Sequence, residues 1–350
     1  MSDMTAMLAR ICCLLLPAAA VCGCNGGLPQ STVSGASPDR ALTSVTRGVA
    51  AFHPDRGKSW ISSKLAKTTS PVLFVSDSGT ADVYVYSLPA LKLLATVTGF
   101  SQPQGECSDN KGDVWVTDAS AQTIYELSHS GRLENELVDS SGYPAGCAWD
   151  STTGNLAVMN IIGTGSTSGS VLIFTHASGA PKQYTNPEQF YYSFGGYDAS
   201  GDLFVDGRRA DEAGFILSEL PRAAASAHTV KLTDGTIYFP GMVQWNAAQG
   251  ELIVGDQSCD NQYASCIYAL TISGDTGKVG AKTSFENYSG SAICDLAQGV
   301  VFHNQVEGSD YDYCGSTTSA TYVWSYPSGG TPLDYNNSTD SAPVGAAVSQ

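Results

Sequence analysis

Four residues with oxygen-bearing side chains recur at one place in a repeating pattern: Asp77, Asp118, Asn160 and Asp256. Each closes a short β-rich run, as in VLFVSD, GDVWVTD, GNLAVMN and GELIVGD, and Gly207 and Gln305 take that place in GDLFVDG and GVVFHNQ. A row of carboxylates suits a hard cation. It suits turns better, because Asp and Asn side chains accept hydrogen bonds from nearby backbone N–H groups. A turn residue recurs in every copy, whereas a single metal site draws unlike residues to one place. Asp109, Asp150, Asp198 and Asp295 end another recurring run; the turns that follow, such as DNKGD and DASGD, carry glycine and give these residues a turn role too. Of the five histidines, His53, His129, His176 and His228 are scattered through the tether and turns. Only His303 ends a strand near a plausible site face, where it could act as a general base. No GxSxG elbow, HExxH or CxxC is present, so the serine-hydrolase, zincin and zinc-ribbon classes lack their motifs.

The elements that position these residues come from a repeat. A run that usually contains glycine and usually ends near Asp appears as GECSD (105–109), GCAWD (146–150), FGGYD (194–198), GMVQW (241–245), SAICD (291–295) and GAAVS (345–349). After the first five copies a tight turn and a β-rich strand follow. VLFVSD at 72–77 lacks a preceding run, and the run at 345–349 lacks a following strand. Circular closure joins these two halves. The expected fold is all-β: a six-bladed β-propeller over 71–350 whose C-terminal strand completes the first blade.

The unit GDVWVTDASAQTIYELSHSGRL resembles an NHL repeat, most clearly in the second and third units, and the whole is similar to NHL and SMP-30-like propellers. That resemblance implies six blades. It also implies one alternative activity. SMP-30-like lactonases hold a divalent cation at the channel mouth, and here Glu106 in SQPQGECSD and Asp198 would take two of the ligand positions, with calcium as the ion. A lyase of the streptogramin-lyase kind would place His303 as its base. A hard cation wants six or more oxygens, and the other inner-strand positions are mostly Ala, Val, Ile and Gly. No cofactor is therefore assigned, and the favoured reading is a non-catalytic binding module.

Long loops follow the second strands of the later units, at 161–170, 207–214, 256–266 and 305–320. Loops on a rigid scaffold carry binding sites. Tyr263, Tyr311 and Tyr313 sit among acidic residues there, and Arg208 and Arg209 are unusual on so acidic a chain. Tyr brings contact area and a hydroxyl at small entropic cost. The partner expected is a protein, a peptide or a glycan.

The formal net charge of −16 disfavours nucleic acid, which needs clustered Lys and Arg. Residues 1–23 form a signal peptide, with Arg10 before the apolar run ICCLLLPAAAV. Its end, Val21-Cys22-Gly23-Cys24, resembles a bacterial lipobox, which implies cleavage before Cys24 and lipidation of its thiol. Residues 24–70 then make a flexible tether whose last part packs on the domain through Trp60 and Leu65. The expected address is the bacterial envelope, with the outer membrane favoured and the membrane reached through the lipid alone. With Cys12, Cys13, Cys22 and the lipidated Cys24 set aside, six cysteines remain, 107, 147, 259, 266, 294 and 314. They read as a disulfide set with fifteen possible pairings. Close spacing favours Cys259–Cys266, equivalent repeat positions favour Cys107–Cys147, and Cys294–Cys314 is what remains.

Overall fold

The structure, a computed structural model, describes residues 59–210, 214–262, 264–311 and 318–350. Its strands fall into antiparallel groups taken in chain order. The first contains β1 (Trp60–Ile61), β2 (Val72–Asp77), β3 (Asp82–Ser87), β4 (Leu93–Thr98) and the chain's last strand, β25 (Pro343–Ser349), in the order β1-β4-β3-β2-β25. The second holds β5 (Pro103–Ser108), β6 (Val114–Asp118), β7 (Thr123–Leu127) and β8 (Leu133–Val138). The third holds β9 (Gly142–Asp150), β10 (Asn155–Gly163), β11 (Ser168–Phe174) and β12 (Lys182–Tyr184).

The fourth group is β13 (Gln189–Tyr197), β14 (Leu203–Arg209), β15 (Phe215–Leu220) and β16 (His228–Thr233). The fifth is β17 (Pro240–Asn246), β18 (Glu251–Asp256), β19 (Cys266–Ser273) and β20 (Thr276–Ser284). These two merge into one eight-stranded sheet because β16 pairs with β20 in parallel. The sixth is β21 (Gly299–Phe302), β22 (Gln305–Asp310), β23 (Ala320–Ser325) and β24 (Asp334–Asn336). The fold is all-β and consistent with a β-propeller.

Chain closure is explicit in the register. Leu73 lies opposite Val348, Phe74 opposite Ala347 and Val75 opposite Ala346. The apolar alternation explains the packing. Val72 and Phe74 face a core shared with Val114, Val116 and Tyr125 of the second group. Leu73 and Val75 face the other way, into a core shared with Val323 of the sixth. Each central strand is thus buried on both faces, which is why these runs are short and almost wholly apolar. Further clusters join the second group to the third, the third to the fourth, the fourth to the fifth and the fifth to the sixth.

The first strands of successive groups touch one another backbone to backbone. A Cβ on Gly345, Gly105, Gly146 or Gly196 would lie under 3.0 Å from a carbonyl of the next first strand, at Gln104, Ala145, Ser193 and Val243 respectively. Glycine is required there for close approach. Where that series ends, glutamine side chains take over. Gln244 donates to Val301 O at 2.9 Å and accepts from Val301 N at 2.7 Å. Gln298 does the same for the backbone of Glu106, at 2.7 and 2.8 Å.

The sixth group departs from the sequence expectation. SAICD (291–295) is not a first strand, and GVVFHNQ is not a second strand. Gly299–Phe302 is the first strand, His303-Asn304 the turn, and Gln305–Asp310 the second strand. The true turn carries His303 at φ 54°, without the Gly-Asp spelling of its counterparts, so the AQG at 297–299 imitates the turn. Consequently 305–310 belongs to a strand, and Asp310, not Gln305, closes it. In the N-terminal segment Leu65 is buried as expected, whereas Trp60 joins β4 by its backbone and leaves its side chain 51% exposed.

Candidate functional site

The recurring aspartates are staples between the end of each second strand and the segment entering the neighbouring first strand. Asp77 accepts from Ser341 N and Ala342 N at 2.6 and 3.0 Å. Asp118 accepts from Ser101 N and Gln102 N at 2.6 and 2.9 Å. Asp256 accepts from Tyr238 N and Phe239 N, both at 3.0 Å. Asp310 does the same for Cys294 N and Asp295 N. In the fourth group Asp206, not Gly207, takes a related part, joining Phe194 N at 2.9 Å to Gly241 N at 2.8 Å. At the opposite end, Asp109, Asp150 and Asp198 cap their hairpins by accepting backbone N–H bonds two residues on. These carboxylates are occupied by the backbone.

Glu106 sits mid-strand in β5 and is 1% exposed. Gly345 on β25 packs against its Cγ, so the carboxyl leans between the first two groups. Neither oxygen has a hydrogen-bond partner. Burial pushes its pKa well above the usual carboxylate range, offset only in part by the nearby Ala347 N–H. Asp198 is committed to its hairpin and His303 to the β21–β22 turn, its ring tilted 46° to that of Phe302 at 4.0 Å between ring centroids. The three do not form one constellation. A second buried carboxyl, Glu307 on β22, lies opposite Val300 and Val323, also unpartnered, with its pKa pushed up to about 8 by burial. Glu106 and Glu307 therefore flank the closing strand, one toward Ala347 and the other toward the core that holds Ala346.

An acidic cluster of Asp109, Asp113 and Glu126 lies at the hairpin end of the second group, with carboxylate oxygens within 4.8 Å of one another. The Lys111 ammonium, 4.0 Å from Asp109 and 3.9 Å from Glu126, already supplies a positive charge there.

At the long-loop end a cleft of about 340 Å³ opens beside Arg209. Its origin is the split allegiance of β16. Residues 228–230 pair with β15, but 231–233 swing across to β20. Gly277, whose missing side chain leaves room for Val230 and Leu232, permits that approach. The divergence uncovers Phe215 at the start of β15 and sets it against Leu232 and Ile237. Arg209 and Lys231 bring charge to this apolar lining, and the exposed Tyr238 adjoins Ile237. Arg209 reaches Glu188 at 3.4 Å, while Lys231 has no ion pair among the described residues. Arg208 is instead buried, its guanidinium 5.9 Å from the Phe239 ring centroid. The two arginines, adjacent in sequence, thus part company: Arg209 lines the cleft and Arg208 is buried beside Phe239. Tyr311 is half-buried, and Tyr263, Tyr313 and Cys24 lie outside the described residues.

Lys231, Phe215, Leu232 and Ile237 were not legible as site residues, because the pairing that gathers them joins strands 45 residues apart (Lys231 with Thr276). The alternation in HTVKLT marks a strand but not its change of partner.

Cys107–Cys147 links the first strands of the second and third groups, and Cys259–Cys266 clips the long loop before β19. Cys294 is also disulfide-bonded, and Cys314 lies outside the described residues. The disulfides are consistent with an extracytoplasmic protein. Among the described residues no helix is long and apolar enough to cross a membrane.

No family model and no curated protein matches the chain. A crystal structure of a protein of unknown function from Bacteroides caccae is similar in fold, with a TM-score of 0.60 and 11% identity, covering 81% of this chain and 100% of that one.

Proposed function

We propose that this chain is a six-bladed, NHL-like β-propeller, held by a lipid on Cys24 in the bacterial envelope, that binds a protein, peptide or glycan partner at its long-loop end without catalysis. Six strand groups, six shared cores and the pairing of β25 with β2 support the blade count. The observation that carries the binding role is the cleft at the long-loop end, an amphipathic recess built on rigid strands. Its volume falls at the low end of the range typical of ligand sites, about 300–1,000 Å³. Glu106 favours the same reading over a lactonase, since its carboxyl is buried on the face it shares with Val116 and Asp198 is committed to its hairpin turn.

The test is site-specific photo-crosslinking in intact envelopes. A photoreactive residue at Thr236, exposed beside the cleft, is compared with one at Asn110, exposed at the hairpin end. Crosslinked partners are expected from position 236 and not from 110; equal yields at both, or none, would refute the binding role. Loss of membrane association in Cys24→Ala tests the anchor separately.

A further inference from the structure

We propose that the cleft between β15 and the 231–237 segment takes an extended peptide carrying aliphatic side chains next to carboxylates. The proposal rests on the binding role above and names the partner class for it. Three features converge on one occupant. First, β15 is paired with β14 along its whole length, through Phe215–Arg208 to Leu220–Leu203. On its other side, pairing with β16 begins only at Leu217. Ile216 is buried and pairs with Gly207, so the uncovered edge is short and centred on Phe215, which has no strand partner on that side among the described residues. Such an edge recruits an extended peptide through main-chain hydrogen bonds.

Second, the lining beside that edge is apolar, from Phe215, Leu232 and Ile237, which suits aliphatic side chains of an added strand. Third, two cations, Arg209 and Lys231, line the cleft against the single carboxylate Glu188, on a chain whose net charge is −16. Arg209 meets one carboxylate, Glu188, which also accepts from the Thr229 hydroxyl at 3.1 Å and whose side chain is 59% exposed, so an incoming carboxylate competes with Glu188 for Arg209. Lys231 stands open to an incoming anion. Two cations facing an otherwise acidic surface select acidic over basic segments and speed their encounter. A glycan would use neither the strand edge nor the paired cations. A free aliphatic acid would use the cations and the apolar wall but not the edge.

The test uses the purified domain with its disulfides intact and two fluorescein-labelled hexapeptides, (Val-Glu)3 and (Val-Lys)3, followed by anisotropy at low salt. The acidic peptide is expected to bind at least roughly tenfold tighter than the basic one. The charge-reversed variant Arg209→Glu with Lys231→Glu, both surface positions, is expected to invert that order with an unchanged melting temperature. Thr236→Trp, which fills the mouth of the cleft, is expected to weaken the acidic peptide by a similar factor while leaving the fold intact. Equal affinity for both peptides, no binding of either, or an order untouched by charge reversal would overturn the proposal. So would binding of decanoate at this site with no binding of the peptide. Failure here alongside crosslinking at position 236 would remove the peptide assignment and leave the binding role standing.

Discussion

The side-chain amide of Gln298 bonds both backbone polar groups of Glu106, 192 residues away in sequence, at 2.8 and 2.7 Å. It also receives Ala346 N at 3.3 Å. One side chain thus stitches the sixth strand group to the second and to the closing strand, at the place where glycine-mediated backbone contact gives out.

Gln298→Ala removes these bonds and leaves the Glu106 N–H and C=O without partners. Each unmet buried group costs about 1–3 kcal/mol, so a loss of roughly 2–6 kcal/mol is expected for the two. The urea midpoint of the variant measures it. A shift no larger than that of Gln249→Ala, an exposed position, would show that the clamp contributes nothing.

Gly345→Val places a branched side chain against Gln104 O and the Ser76 hydroxyl, inside the contact between β25 and β5. Overpacking of this kind costs about 1–3 kcal/mol or more. Because β25 pairs with β2 across the chain ends, the damage is expected at closure. Hydrogen exchange should accelerate first in 72–77 and 343–349. Uniform acceleration over every group would contradict closure through β25.

Glu307 sets a pH dependence. Its folded pKa, pushed up to about 8, exceeds the ordinary 4.5, so the folded state binds the extra proton between those values. The stabilising contribution of the neutral form is complete below pH 4.5 and disappears as pH rises through 8. The slope is about 1.4 kcal/mol per pH unit for one group. Glu106, whose pKa is raised by burial in the same direction, adds to the decline. Denaturation midpoints from pH 5 to 9 should fall for the wild type and fall less steeply for Glu307→Gln. Parallel curves would show that Glu307 is not the titrating group.

Cys107–Cys147 closes a loop of 40 residues between neighbouring first strands. Loop-closure entropy gives such a crosslink about 3–5 kcal/mol. Cys107→Ser with Cys147→Ser is expected to lose that much, with the strand content unchanged in far-ultraviolet circular dichroism. Cys259–Cys266, only 7 residues apart, should matter less to global stability and more to the shape of the loop it clips.

Taken alone, the sequence determined the strand content, the recurrence of first and second strands through the first five groups, and the pairing of PVGAAVSQ with VLFVSD. These rest on local regularities: alternating apolar residues, Gly-Asp turns, and a half-repeat at each end of the folded region. Two of its disulfide pairings are present for equally local reasons: Cys107 and Cys147 hold equivalent positions in adjacent repeats, and Cys259 and Cys266 lie only 7 residues apart. It misplaced the sixth group, where the turn His303-Asn304 lacks the expected spelling, and so passed over Asp310 as a staple. It also put Glu106 beside a channel, because strand alternation says which residues share a face but not what packs against that face. Only the tertiary structure decided that Gly345 and Ala347 lie against this side chain, in the core shared by the first two strand groups. The cleft was decided there as well. It exists because β16 leaves β15 for β20, a parallel pairing between distant strands that depends on a close approach at Gly277 and on no local pattern.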